Sequence, residues 1–166
     1  GDRGTYQLII FGRNKEGLRE LYKWVSSSHI KHFYRVPRIL KSELVHVRDN
    51  LLIGSACEAG QLFRAILENM DEQEINKIAR FYDFLLGEKV ESLEELKKIN
   101  KRIYQLGKKL KKPVVATGDV HFLDPEDSIY REILQAGQGY EEQTQAPLYF
   151  RTTGEMLEEF SYFGEE

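Results

Sequence analysis

Four short apolar runs, each followed by a helical pattern, constrain this chain more than any other feature. They lie near residues 5 to 11, 50 to 54, 82 to 86 and 113 to 117. Each has the length and the aliphatic, β-branched or aromatic content of a strand, and a glycine closes or follows each. Strands that alternate with helices predict an α/β arrangement with mostly parallel strands. In such folds ligands collect beyond the carboxyl ends of the strands. The polar tips that follow Ile53 and Thr117 are therefore the first places to look for chemistry.

The helical segments follow from spacing and punctuation. Asn14-Lys15-Glu16-Gly17 is a helix entrance, after which Leu18, Leu21, Tyr22, Val25 and His29 fall on one stripe, with Trp24 at its edge. A short helix is expected after Pro37, with Leu40 and Leu44 on its inner side. Leu62, Phe63, Ile66 and Leu67 mark another, and Asp71 and Glu72 open one that carries Ile75, Ile78, Ala79 and Tyr82. The clearest helix begins at a capping-box pattern, Ser92 with Glu95, and repeats Leu96, Ile99, Ile103, Leu106 and Leu110. Asp124-Pro125 with Asp127 starts a helix containing Ile129, Tyr130, Ile133 and Leu134. From Gln135 to Pro147 the chain turns to Gly, Gln and Glu, an exposed excursion. Thr152 and Glu155 then cap a last helix with Met156, Leu157 and Phe160.

Two tips carry chemistry-bearing side chains. After the fourth strand, Gly118-Asp119-Val120-His121 presents a carboxylate and an imidazole two residues apart, on one side if the backbone stays extended. Such a pair suits a metal ion or an anionic substrate, and it equally suits turn and cap hydrogen bonds. After the second strand, Ser55-Ala56-Cys57-Glu58-Ala59-Gly60 is a tight small-residue passage into a helix. Cys57 reads either as a small buried hydrophobe or as a thiolate ligand, and Glu58 as a helix-terminal charge or a solvated acid. Gln7 is the odd polar residue in the first strand; pointing inward, it reaches the same end.

Two basic regions stand apart from these tips. Lys31, Arg35, Arg38 and Lys41 interleave with Phe33 and Tyr34, a mixture that holds phosphates and stacks bases or simply ties down a long solvated segment. The outer face of the long helix, with Lys97, Lys98, Lys101 and Arg102 among others, reads as a DNA-attracting surface or as an ordinary solvated face. The formal charge of −3, from 24 basic and 27 acidic residues, argues against wholesale nucleic-acid coating and leaves room for a local patch. Cys57 is alone, so no internal disulfide forms and a reducing, cytoplasmic setting is expected. No run of 18 apolar residues occurs, so no membrane partner is expected.

Taken together, certain segments resemble a known family. They are Asn14 to His29 with Arg35-Val36-Pro37-Arg38, Leu51 to Cys57, Pro113 to Asp127, and Tyr149-Phe150-Arg151-Thr152-Thr153 with Glu155-Met156. The chain resembles the later part of the polymerase and histidinol phosphatase (PHP) domain of PolC-type bacterial DNA polymerase III alpha subunits, the portion after the exonuclease insertion. The resemblance implies part of a distorted (β/α)7 barrel over residues 1–147, with 148–166 leading towards the polymerase core. It implies metal ligands at Cys57, Asp119 and His121, with Gln7 standing where the family carries a histidine and Glu58 beside the site. The family's early H-x-H motif, a further acid and histidine, and a glutamate lie in the preceding portion, and the stretch from Gly87 to Glu91 is shorter than usual.

The resemblance further implies a divalent ion, zinc or manganese, if the other ligands are supplied, and magnesium for nucleotidyl transfer by the parent polymerase. Its implied partners are the remainder of the polymerase chain including the earlier part of the PHP domain, DNA through the parent enzyme, and replisome proteins. Three functional expectations follow. The chain is a metal-binding scaffold of a polymerase, non-catalytic by itself; or a metal-dependent phosphoesterase; or a DNA-contacting module using Arg35, Arg38, Lys97 and Lys101.

Overall fold

The computed structural model describes residues 4–88, 93–139 and 147–164. Four strands, β1 (Leu8–Gly12), β2 (Leu51–Ser55), β3 (Leu85–Glu88) and β4 (Val114–Thr117), alternate with seven helices along the described chain. The helices are α1 (Lys15–Ile30), α2 (Lys41–Val45), α3 (Gln61–Leu67), α4 (Glu72–Arg80), α5 (Leu93–Leu110), α6 (Ser128–Gly137) and α7 (Thr153–Glu159). The chain divides into two compact units, Gly1–Leu85 with Leu106–Pro113 and Leu86–Gln105 with Val114–Glu166. The α/β class is as expected. Among the described residues the strands form two two-stranded sheets, β1 with β2 and β3 with β4, and no closed barrel.

In the first unit the expected parallel arrangement is corrected at the first pair. β1 and β2 run antiparallel, from Leu8 opposite Ser55 to Gly12 opposite Leu51. The reason is that the intervening helices do not cross over the sheet. Arg13 N–H donates to the Asn50 carbonyl at 2.9 Å and the Asn14 amide donates to Asn50 Oδ1 at 2.9 Å. The excursion through α1 and α2 thus returns to the point where it left, as a hairpin loop does. Asn14 also caps α1, its side chain accepting from Gly17 N–H at 2.8 Å.

The inward face of α1 also differs from the expected stripe. A Cβ on Gly17 would collide with the Asn50 carbonyl, so the helix lies close at that glycine. That contact turns Gly17, Trp24 and Ser28 inward and leaves Leu18, Tyr22 and Val25 exposed. The two stripes lie one residue apart, about 100° around the helix. Hydrophobicity selected the other one.

The core of this unit lies around β2, whose Leu51 and Ile53 are fully buried together with Leu44, Leu62 and Leu85. Asp71 caps α4, accepting from Gln73 N–H at 2.9 Å, and Ile75, Ile78, Ala79 and Tyr82 are buried as the spacing predicts. The segment after α4 does not become a strand at residue 82; β3 starts at Leu85. Before it, the chain lies parallel to β2 at Gly54 opposite Phe84, and Asp83 N–H donates to the Ile53 carbonyl at 2.7 Å. The Asp83 carboxylate then accepts from Ile53 N–H at 2.7 Å and from Arg48 Nη1 at 2.6 Å, while Arg48 Nη2 donates to the Phe81 carbonyl at 2.7 Å. Lys112 Nζ donates to the Tyr82 carbonyl and, at 3.3 Å, to the carbonyl of Arg80, the last residue of α4, and burial pulls its pKa down.

The second unit is more open. β4 was expected to be a buried strand, yet Val115 and Ala116 are exposed. α6 contains no buried residue, and Ile129, Tyr130, Ile133 and Leu134 are 54–67% exposed. Its helix extends through Gly137, past the expected break at Gln135. α7 carries the expected cap: Thr152 N–H donates to Glu155 Oε2 at 2.7 Å and Glu155 N–H to Thr152 Oγ1 at 3.4 Å. The Thr152 N–H and the Thr152 hydroxyl, which donates to the same Oε2 at 2.7 Å, hold the Glu155 carboxyl below its ordinary pKa. Arg151 is buried, donates to the Pro147 carbonyl at 2.8 Å and lies over the Tyr149 ring at 4.2 Å. The Ser92–Glu95 capping box and the shortening near Gly87 to Glu91 fall on residues whose detail lies outside the described residues.

Asp83→Ala is expected to destabilise the fold by about 2 kcal/mol, because it removes a carboxylate that accepts two short bonds. Asp83→Asn, which keeps one acceptor, is expected to cost less; urea unfolding measures both. Tyr82 provides a pH test. Burial, then the nearby Tyr6, pushes its phenol up to about 12. In the unfolded chain it ionises near pH 10, so stability is full below pH 10 and falls as pH rises towards 12. The loss between pH 9 and pH 11.5 is about 2 kcal/mol relative to Tyr82→Phe, read from denaturation at those two values.

Candidate metal-ligand tips

In the first unit β2 ends in the Cys57 passage, and the glycine at its far end sets its shape. Gly60 N–H donates to the Cys57 carbonyl at 2.7 Å, and a Cβ on Gly60 would lie only 2.9 Å from the carbonyl oxygens of Ala56 and Cys57. Only a residue without a side chain closes so tight a turn. Gln7 N–H donates to the Ala59 carbonyl at 2.9 Å, which brings the start of β1 alongside. The half-buried Cys57 thiol then donates to Gln7 Oε1 across 3.6 Å. Gln7 does reach this tip. Glu58 is exposed, and its carbonyl accepts from Arg64 Nε at 3.4 Å.

In the second unit the tip after β4 is built differently from expectation. The strand ends at Thr117, and Asp119 adopts a left-handed conformation with φ +46°. A turn, rather than an extended backbone, therefore brings the two side chains together: His121 Nδ1 lies 3.7 Å from Asp119 Oδ2 and 2.7 Å from the Asp119 carbonyl. A carbonyl only accepts, so Nδ1 carries a proton, and in the neutral ring this tautomer leaves the lone pair on Nε2. This is the arrangement that orients a metal-binding imidazole through its other nitrogen. The next residues are stitched to a neighbouring segment, His121 N–H to the Leu148 carbonyl at 2.8 Å and Phe150 N–H to the Phe122 carbonyl at 3.0 Å. Beyond it Asp127 Oδ2 accepts from Asp124 N–H at 3.1 Å ahead of α6.

The donor chemistry at the second tip fits a divalent ion: one carboxylate and one correctly protonated imidazole, both accessible. At the first tip the fit is weaker, since the thiol is engaged as a donor to a neutral amide instead of facing a second imidazole. Among the described residues no group of three or more His, Cys, Asp and Glu side chains that could hold a metal ion occurs. Two ligands at one tip leave most of a coordination shell to be filled from elsewhere.

The basic residues separate into different roles. Lys97 is half-buried with its ammonium 5.6 Å from the centre of the Tyr162 ring, and Lys101 is exposed. Tyr162 in turn accepts from the Asn100 amide at 2.9 Å. Arg35 and Arg38 belong to the other unit, where both guanidinium groups lie over Tyr34. The sequence reading missed Arg48 and Asp83; an arginine and an aspartate 35 positions apart give no local signal that they meet.

Comparison with known proteins decides the family. The family model described as "PHP domain" matches residues 2–94. This chain belongs to the PHP domain family. It is also similar to proteins named "DNA polymerase III PolC-type". The one from Clostridium perfringens is 48% identical over 174 residues, covering 97% of this chain and 12% of that protein. The one from Thermotoga maritima is 50% identical over 163 residues and the one from Bacillus subtilis 45% over 177, again covering 12% of each. The resemblance read from the sequence therefore holds over nearly the whole chain, which spans about an eighth of the length of these relatives. The PHP match includes Cys57; Asp119 and His121 lie in the part that only the polymerase relatives cover.

The state of His121 is directly measurable. Two-bond 1H–15N correlation is expected to show Nδ1 protonated and Nε2 bare, and added zinc is expected to shift Nε2. Asp119→Asn is expected to weaken that zinc response about tenfold or more.

Proposed function

We propose that this chain is the metal-binding PHP portion of a replicative, PolC-type DNA polymerase and serves that enzyme as a scaffold without catalysing a reaction itself. The observation that carries the reading is the similarity to such polymerases at 45–50% identity across 92–97% of the chain. On this reading residues 1–147 are PHP and 148–166 lead towards the polymerase core. Nucleotidyl transfer with magnesium belongs to another part of the larger protein, which works on DNA with replisome proteins in the cytoplasm. No helix among the described residues is long and apolar enough to cross a membrane.

The exposed apolar faces support the scaffold role. Leu18, Tyr22 and Val25 on α1 and Ile129, Ile133 and Leu134 on α6 form two stripes at helical spacing, each too regular for a solvated surface. We assign them to contacts with the remainder of the polymerase, including the earlier part of its PHP domain. Burying one such side chain contributes roughly 1.5 to 3 kcal/mol, so these faces are a strong reason for the pieces to associate.

Asp119 and His121 are proposed as ligands of zinc or manganese on both resemblance and geometry, and Cys57 on resemblance. Gln7 and Glu58 line the first tip without ligating. A divalent ion bound there supplies charge neutralisation and Lewis acidity for phosphoester chemistry. The His121 Nε2 lone pair and the accessible Asp119 carboxylate also favour a second reading, a phosphoesterase, in which these residues hold the ion against a phosphate.

The two readings separate in one experiment on the complete polymerase. Asp119→Asn with His121→Gln is expected to lower bound zinc or manganese and to lower the melting temperature while primer extension continues. Loss of metal-stimulated phosphoester hydrolysis in that variant, with the melting temperature unchanged, would instead establish the phosphoesterase.

A further inference from the structure

We propose that the turn Phe33-Tyr34-Arg35-Val36-Pro37-Arg38 is a binding platform for single-stranded nucleic acid, in which Arg35 and Arg38 grip a backbone phosphate beside the exposed Phe33 and Tyr34 rings. This goes beyond the scaffold reading and uses none of the metal-ligand residues.

The turn follows the end of α1, where Lys31 N–H still donates to the Ser27 carbonyl at 2.7 Å. Tyr34 and Val36 pair across it, with Tyr34 N–H donating to the Val36 carbonyl at 3.2 Å. Arg35 at its tip has φ +63°, a left-handed conformation that costs a residue with a Cβ about 1 to 2 kcal/mol and that glycine adopts freely. The strain keeps a guanidinium where glycine would make the easier turn. Strained positions of this kind recur where a side chain must be presented.

Tyr34 gathers the two cations. The Arg38 guanidinium lies 5.0 Å and that of Arg35 5.7 Å from the centre of its ring. Arg38 is further held by Nε donating to the His32 carbonyl at 3.4 Å, which leaves its terminal nitrogens to point elsewhere. Among the described residues neither arginine has a carboxylate partner. From Ile30 to Ser42 there are four Lys and Arg residues and no acid, and the nearby Glu43 carboxylate is 3.4 Å from His32 Nε2. Lys41 is not part of the platform: its ammonium lies over the Phe81 ring at 4.1 Å.

Two guanidinium groups held by one ring repel each other, and a shared anion removes that repulsion. Their planar forks match phosphate oxygens better than ammonium groups do. Phosphate alone does not explain the neighbouring rings, however. Phe33 is 56% and Tyr34 60% exposed, and aromatic faces next to a phosphate grip are what unpaired bases stack on. A duplex hides those faces, so the geometry favours a single strand.

The test is fluorescence anisotropy of a labelled oligo(dT) strand with the 166-residue chain, alongside ultraviolet crosslinking of a 5-bromodeoxyuridine strand mapped by mass spectrometry. Arg35→Ala with Arg38→Ala is expected to weaken binding tenfold or more and to reduce the salt slope by about 0.7, the loss of one shared phosphate contact. Arg35→Lys with Arg38→Lys is expected to restore part of it, and crosslinks on the unsubstituted chain are expected at Phe33 or Tyr34. Unchanged affinity in the double alanine variant, crosslinks confined to other segments, or no binding at all would overturn the proposal. Duplex DNA binding as tightly as oligo(dT) would overturn its single-strand part. Because metal content plays no role here, failure leaves the scaffold reading untouched.

Discussion

One carboxylate holds the first unit in register. Asp83 follows α4 and precedes β3, and it accepts simultaneously from the Ile53 backbone and from Arg48. Ile53 is the fully buried centre of β2, so this contact fixes how the chain after α4 lies beside the strand on which the core is built. Gly54 completes the approach, since any Cβ there would run into the Phe84 ring. With β2 held in this way, the Cys57 passage leaves the strand at a fixed point and Gln7 meets it from β1. Two groups partly open to water hold this junction, and the value of the contact lies mainly in the backbone N–H that would otherwise go unpaired.

The two tips after strands illustrate different ways to present a polar side chain. At Cys57 the turn is made by a glycine that admits no side chain, and the thiol is spoken for by an amide. At Asp119 the turn is made by a left-handed aspartate, whose own carbonyl fixes the imidazole tautomer two residues later. The second arrangement costs some backbone strain and yields an oriented imidazole nitrogen. The first yields a satisfied thiol. Gln7 thus does more than line the first tip, because its amide occupies the thiol of Cys57.

Exposed valine and alanine on β4 and a helix, α6, with no buried residue are costly in isolation. The core around β2 is well filled, whereas the second unit leaves these apolar side chains open to water.

The sequence by itself determined the elements. Strand-length apolar runs, the caps at Asn14, Asp71 and Thr152, and the Asp-x-His tip were legible, because each depends on neighbours within a few positions; the glycines expected to end two strands do not, since β2 runs through Gly54 to Ser55 and β3 through Gly87 to Glu88. The family, too, was legible from motifs spread along the chain. Tertiary structure decided the rest. It set β1 antiparallel to β2, because Asn50 ties the end of the α1–α2 excursion to its beginning. It turned Trp24 inward and Leu18, Tyr22 and Val25 outward, because Gly17 lets α1 approach the Asn50 carbonyl. It also brought Arg48 to Asp83 and both turn arginines to Tyr34. Periodicity says that a face is apolar; only the packed chain says which of two adjacent faces is buried, and against what.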